Sequence, residues 1–168
     1  MAAENYPDRV RIVRYEPKYR KAFRDLNYQW LQKYFTVEPY DEIVLNDPDH
    51  QIIRRGGTVL VALLGKEPVG VCALIRHTEK KFELAKMGVT EGHHRKGIGR
   101  KLVSAAIETA RNRGADTLVL ATSPVLEPAN NLYRAMGFRD AEYSEIGPLP
   151  YQRHSVVMAM DLDTLQSD

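Results

Sequence analysis

Nine residues, "HHRKGIGRK" from His93 to Lys101, set six basic side chains around two glycines. Such a cluster suits three chemistries: gripping nucleic-acid phosphates, cradling the phosphates of a small cofactor, or staying wet at an ordinary turn. Across the chain, Lys plus Arg total 24 against 22 Asp plus Glu, a net of +2. A protein that depends on nucleic-acid phosphates usually carries a larger excess, so the charge here is local and no nucleic-acid partner is expected.

The second chemistry depends on the segment after the loop. From Ile98 to Arg113 the residues Ile98, Leu102, Ala106 and Ala110 form one stripe with Val103 and Ile107 beside it, and Gly114 supplies a stop, which predicts an amphipathic helix. The first turn of a helix has backbone N–H groups without partners and the positive end of the dipole, so an anion is stabilised there. Glycine at 97 and 99 would let phosphate oxygens reach those N–H groups, with Arg95, Lys96, Arg100 and Lys101 adding charge. On these residues alone a pyrophosphate cradle and a plain glycine turn both remain open.

Other reactive residues offer less. Cys72 is the only cysteine, lies in the apolar run "VGVCALI", and reads as a core filler in a reducing compartment. His93 and His94 are adjacent and suit joint metal ligation poorly. No His/Cys/carboxylate spacing of a zinc site occurs, and no metal is expected. The start "MAAENYPDRV" lacks a basic-then-apolar signal pattern, and no apolar run approaches the ~18 residues of a membrane-spanning helix. A soluble, cytoplasmic chain with no membrane partner is the expectation.

The elements that must position these residues are read from periodicity. "VRIVRY" alternates as a strand, and Tyr19, Phe23, Leu26, Trp30 and Phe35 mark a helix. A short helix is predicted over Tyr40 to Leu45. Strands are predicted at Thr58 to Leu64, Val69 to Ile75 and in "KFELAKMGV", as an antiparallel meander. After the long helix come the strand "TLVLATS", the short helix "PANNLYRAM", and two closing strands in "GFRDAEYSE" and "YQRHSVVMAMDL". The order predicts an α/β protein (α+β by stricter definitions): a mixed, largely antiparallel sheet flanked by helices, in one domain over 1–168. The hairpin-linked strands before the glycine pair argue against a dinucleotide-binding plan.

Taken together, "MGVTEGHHRKGIGRKLV" and "LYRAMGF" resemble the GNAT superfamily of acyl-CoA-dependent N-acyltransferases, whose signature is Gln/Arg-x-x-Gly-x-Gly/Ala at a helix start. His94 stands at the leading Gln/Arg position. The resemblance implies the acyl-CoA N-acyltransferase fold and acetyl-CoA as cosubstrate, bound by His94, Arg95, Lys96, Gly97, Ile98, Gly99 and Arg100. The pantetheine arm would lie along Met87, Gly88 and Val89, with Asn131 nearby.

The resemblance also implies roles in the chemistry. Glu83 matches the offset of the catalytic glutamate in the histone-modifying branch and would be the base that neutralises the attacking ammonium. Its alternative is a strand glutamate facing solvent or paired with Lys86. The Met87 N–H would stabilise the oxyanion, and Tyr133 would protonate the departing thiolate; its alternative is a core aromatic. The acceptor pocket would lie around Tyr34 to Asp41 and Tyr151 to Arg153. Glu38 and Asp41 there suggest an amine and Arg153 a carboxylate, hence a small amine or amino-acid-like acceptor attacked directly in a ternary complex. A non-catalytic acyl-CoA-binding regulatory module is the alternative function, which thiol release would exclude. A homodimer is an option common in the superfamily, though no stripe marks its interface.

Overall fold

In the computed structural model, residues 9–93, 97–153 and 155–162 are described. The elements are β1 (Val10–Arg14), α1 (Arg20–Tyr34), α2 (Pro39–Asn46), β2 (Thr58–Leu64), β3 (Glu67–Arg76), β4 (Lys81–Val89), α3 (Ile98–Asn112), β5 (Thr117–Thr122), α4 (Glu127–Ala135), β6 (Arg139–Ala141) and β7 (Val156–Asp161). The strands form one seven-stranded sheet in the order β1-β2-β3-β4-β5-β7-β6. Every pairing is antiparallel except β4 with β5. The predicted mixed, largely antiparallel sheet with flanking helices is therefore present.

Strand alternation gives the sheet two apolar faces, each covered by helices. On one face Ile98, Leu102, Val103, Ala106 and Ala110 of α3, with Tyr133 of α4, pack on Leu60, Cys72, Leu74, Phe82, Leu84 and Leu118. On the other, Phe23, Leu26 and Leu31 of α1 and Val44 and Leu45 of α2 pack on Val59, Val61, Val71 and Ala73. Each fully buried Leu or Phe contributes on the order of 1.5–3 kcal/mol, so both helix layers are firmly held.

Two irregularities position the site. The first is a bulge. Ala73 pairs with Ala85 and Val71 with Gly88, so β4 spends two residues, Lys86 and Met87, opposite Cys72 alone. Lys86 takes φ 52°, the positive value that absorbs the extra residue. The second is a divergence: β4 and β5 are in register only at Lys81–Thr117, Phe82–Leu118 and Glu83–Val119. Beyond Glu83 the ladder ends and a gap opens between the two strands.

The last third departs from expectation. The strand predicted in "GFRDAEYSE" shrinks to Arg139–Ala141, and the one in "YQRHSVVMAMDL" begins only at Val156. Between them a 3-10 turn spans Tyr143–Glu145, its start closed by reciprocal bonds between Glu142 and Glu145. Gly147 at φ 92° and the prolines at 148 and 150 prevent a continuous ladder. Between α2 and β2, where no element is predicted from the sequence, a π-turn at Asp49–Ile53 buries Ile52.

Candidate active site

The glycine loop stands at the start of α3, as its sequence position implies. Gly97 is the N-cap residue, with φ 78° in the left-handed region, and among the described residues no side chain caps the helix there. His94, Arg95 and Lys96 lie outside the described residues. Ile98 points into the core at 2% exposure, leaving its backbone as the part that can meet a ligand. Arg100 is exposed. Lys101 is directed elsewhere, donating to the Val10 carbonyl at 2.8 Å, so its charge is spent on tying α3 to β1. Gly99 also has a packing reason: a Cβ there would come within 3.3 Å of Leu132 Cδ2 on α4.

Across the gap, β4 supplies the other wall. Gly88 is needed because a Cβ would meet the Leu26 carbonyl oxygen at 2.7 Å and Trp30 Cδ1 at 3.2 Å. α1 therefore lies directly on the strand at this point. Met87 and Val89 turn to the opposite face, packed against the α3 layer. The unpaired part of β4 beyond Glu83, the bulge and the glycine-led start of α3 are the features here that could meet an extended ligand with a phosphate end.

Tyr133 of α4 lies in the core on the α3 side of the sheet. It is 8% exposed, packed edge-on against Phe138 with centroids 5.8 Å apart. Burial, with the nearby Cys72 thiol a further cause, pushes its phenol well above the ordinary range, so it holds its proton at neutral pH. Cys72 itself is pushed up to about 12 by burial and is no nucleophile. Asn131 is exposed on α4. Its neighbour Asn130 is the buried one, accepting from Thr122 Oγ1 at 2.7 Å and donating to the Ser123 carbonyl at 2.9 Å.

Glu83 is the last β4 residue paired to β5, at the apex of the gap. Neither alternative named for it applies: its side chain is 17% exposed, and its partner is not Lys86 but His77, whose Nε2 lies 2.7 Å from Oε1. Sequence patterning does not reach His77, because it becomes a diagonal neighbour only once the β3/β4 register is known.

Lys86 belongs to a charge lattice that no local pattern discloses. The bulge turns it to the α1/α2 face, where its side chain is 6% exposed and Nζ donates to Asp41 Oδ1 at 2.9 Å and to the Tyr151 hydroxyl. Asp41 is fully buried and also accepts from Arg153 and, at 2.9 Å, from the Glu38 backbone N–H. Glu38 accepts from Arg153 Nε at 3.0 Å and from the Gln152 N–H at 2.7 Å. Burial alone would raise the Asp41 pKa, but the Lys86 charge and these hydrogen bonds outweigh it and hold the carboxyl below its usual value. Desolvation lowers Lys86, opposed by Asp41. Tyr151 is pushed far above the ordinary phenol range by burial, then by the charges of Asp41 and Glu83. Burial and Glu83 likewise raise Tyr40. Glu83 is thus within electrostatic reach of this lattice.

The expectation that Glu38 and Asp41 would await an amine, and Arg153 a carboxylate, needs revision: these three residues are bonded to one another. Beside them the 142–155 connection borders an open depression of about 610 Å³ lined by Tyr143, Leu149, Tyr151 and Arg153 among others. Among the described residues no group of three metal-ligating side chains occurs, and no helix is long and apolar enough to cross a membrane.

A mixed sheet that splits between parallel β4 and β5, with a bulge on β4 and a glycine-led helix across the split, defines the acyl-CoA N-acyltransferase class of fold. The acetyltransferase (GNAT) family model matches residues 21–138, and the chain belongs to that family. It is an enzyme of the N-acetyltransferase class. An uncharacterized N-acetyltransferase of Bacillus subtilis (strain 168), YvbK, is 34% identical over 105 residues, 61% of this chain and 68% of that one. Matched rodent N-acetyltransferases are spanned over only 40% to 55% of their lengths. Among solved structures, a GNAT-family acetyltransferase of Staphylococcus aureus Mu50 superposes with TM-score 0.81 at 23% identity, covering 91% of this chain and 99% of that one. A Bacillus subtilis acetyltransferase in complex with CoA superposes with TM-score 0.67 at 25% identity over the same shares.

Proposed function

We propose that this chain, as one catalytic domain, transfers the acetyl group of acetyl-CoA to the amine of a small molecule by direct attack in a ternary complex. The observation that carries the reading is the juxtaposition at the β4/β5 split: Glu83 at its apex on the acceptor face, and Tyr133 buried on the cofactor side. The cofactor would lie against the Gly97–Arg100 backbone and the Met87–Val89 edge, and would supply the activated acetyl thioester.

The chain's own groups then divide the work. Glu83 takes a proton from the acceptor ammonium, leaving the nitrogen lone pair free to attack. His77, fixed to Oε1, leaves Oε2 as the oxygen available to the amine. Backbone N–H groups of the bulge, that of Met87 first, face the developing oxyanion. The Tyr133 hydroxyl gives its proton to the leaving thiolate. Free-thiol release followed with acetyl-CoA and a panel of primary amines tests the proposal. Amine-dependent release with acetylated product is expected; coenzyme A binding without any amine-dependent release would instead make the chain a binding module.

A further inference from the structure

The lattice around Arg153 bears on which amines can enter. Two cations, Lys86 and Arg153, face two carboxylates, Glu38 and Asp41, so the set is neutral within itself. Its members are little exposed: 15% for Arg153 and Glu38 side chains, 6% for Lys86, none for Asp41. Arg153 donates through Nε to Glu38 and through a terminal nitrogen to Asp41, and its guanidinium lies over Tyr151 at 4.3 Å and Phe35 at 5.4 Å. Its charge is therefore already matched by two carboxylates, and a ligand carboxylate that took over either of these bonds would leave a little-exposed carboxylate unpaired at a large desolvation cost.

The rest of this face is negative and aromatic. Glu83 contributes a carboxylate whose partner among the described residues is His77. Tyr40 and Tyr151 stand edge to face with centroids 5.5 Å apart; Arg153 and Lys86 already lie over the Tyr151 ring, at 4.3 and 4.7 Å, so Tyr40 is the ring of the pair that a ligand cation would meet. Lys81 on the same strand is tied to the Glu145 carbonyl at 2.7 Å. Arg55 acts on Tyr40 from the rim but is exposed, where a single charge is largely screened.

We infer that the acceptor is a primary amine without a neighbouring carboxylate, and that Glu38 and Asp41 enforce this by occupying Arg153. The inference rests on the proposed acetyltransferase reading of this face. It makes Glu38 a specificity-determining residue through a charge it cancels rather than a contact it offers.

Matched pairs test it: phenethylamine against phenylalanine, and cadaverine against lysine. Two readouts are taken on the full chain, kcat/KM by thiol release and direct calorimetric binding in the presence of coenzyme A. The amine should exceed its carboxylated partner by at least about 10-fold in each pair, the scale expected when a buried charge is left unmatched. Glu38→Gln keeps an acceptor oxygen for Gln152 but removes one counter-charge of Arg153, and should narrow the ratio by favouring the carboxylated member. Wild-type protein that takes the carboxylated member as well as or better than the amine overturns the inference. So does a ratio that Glu38→Gln leaves unchanged but Arg55→Ala alters, since Arg55 would then be the residue reading the carboxylate. Loss of turnover with the binding preference intact would count against the acetyltransferase reading and not against this one.

Discussion

The two sides of the β4 strand are built on different principles. The side proposed for the cofactor is backbone: a helix N-terminus capped by no described side chain, a glycine in a left-handed conformation and a strand edge released where β4 leaves β5. The side proposed for the acceptor is side chain: five polar residues from α2 and its N-cap, β4 and the 142–155 connection, interlocked by hydrogen bonds. A backbone site recognises what every acyl-CoA shares and tolerates many side-chain identities. A side-chain lattice is particular to one chain and can be retuned by single substitutions.

That contrast predicts where mutations damage stability and where they damage binding. The largest effect should come from Asp41→Ala, which leaves buried Lys86 without its carboxylate and Arg153 with Glu38 alone. About 3–5 kcal/mol of stability should be lost by denaturant titration. The lattice also implies an acid limit. Because folding lowers the Asp41 pKa, its contribution is fully present above the unfolded value near 3.8 and disappears as pH falls through the lower folded value. A pH series of melting temperatures in wild type and Asp41→Asn checks this: the two curves should converge in acid.

On the cofactor side, changes should affect binding or rate with little loss of fold. Tyr133→Phe keeps the ring against Phe138 and removes only the proton donor. The turnover number should fall by about 10- to 10³-fold with a modest change in KM. Full activity at unchanged stability would return Tyr133 to a packing role. Gly97→Asn tolerates a positive φ yet places a side chain in the cradle, so coenzyme A affinity should drop by about 10-fold or more in a folded protein. Arg100→Ala should be the mildest, about 1 kcal/mol of cofactor affinity and less at high salt, as one exposed charge.

The same contrast explains how much of the site is legible in the sequence. The cofactor side is nearly contiguous in the chain, from Met87 to Arg100, and its glycines and helix periodicity are local signals. The acceptor side joins residues 45, 65, 112 and 115 positions apart. Sequence can name Glu38, Asp41 and Arg153 as candidates, but not their mutual pairing. Lys86 is hidden for a sharper reason: simple alternation places it on the face opposite Ala85, and only the bulge turns it to the same one. In the same way His77 meets Glu83 through strand register, which hydrophobic patterning does not specify. Alternation overstates the closing strands because proline and glycine at 147 to 150 outweigh it.

Glu83, at the apex of the split on the acceptor face, is the carboxylate on which the proposed chemistry turns, since without a base the amine arrives as an unreactive ammonium. The direct test is the pH–rate profile of Glu83→Gln beside wild type, with coenzyme A affinity measured on the same preparations. Cofactor affinity should be unchanged, the rate near neutral pH lowered by about 10²-fold or more, and part of it recovered as rising pH delivers more of the amine already deprotonated. A mutant with the wild-type rate and the wild-type profile would contradict the assignment of Glu83 as the base.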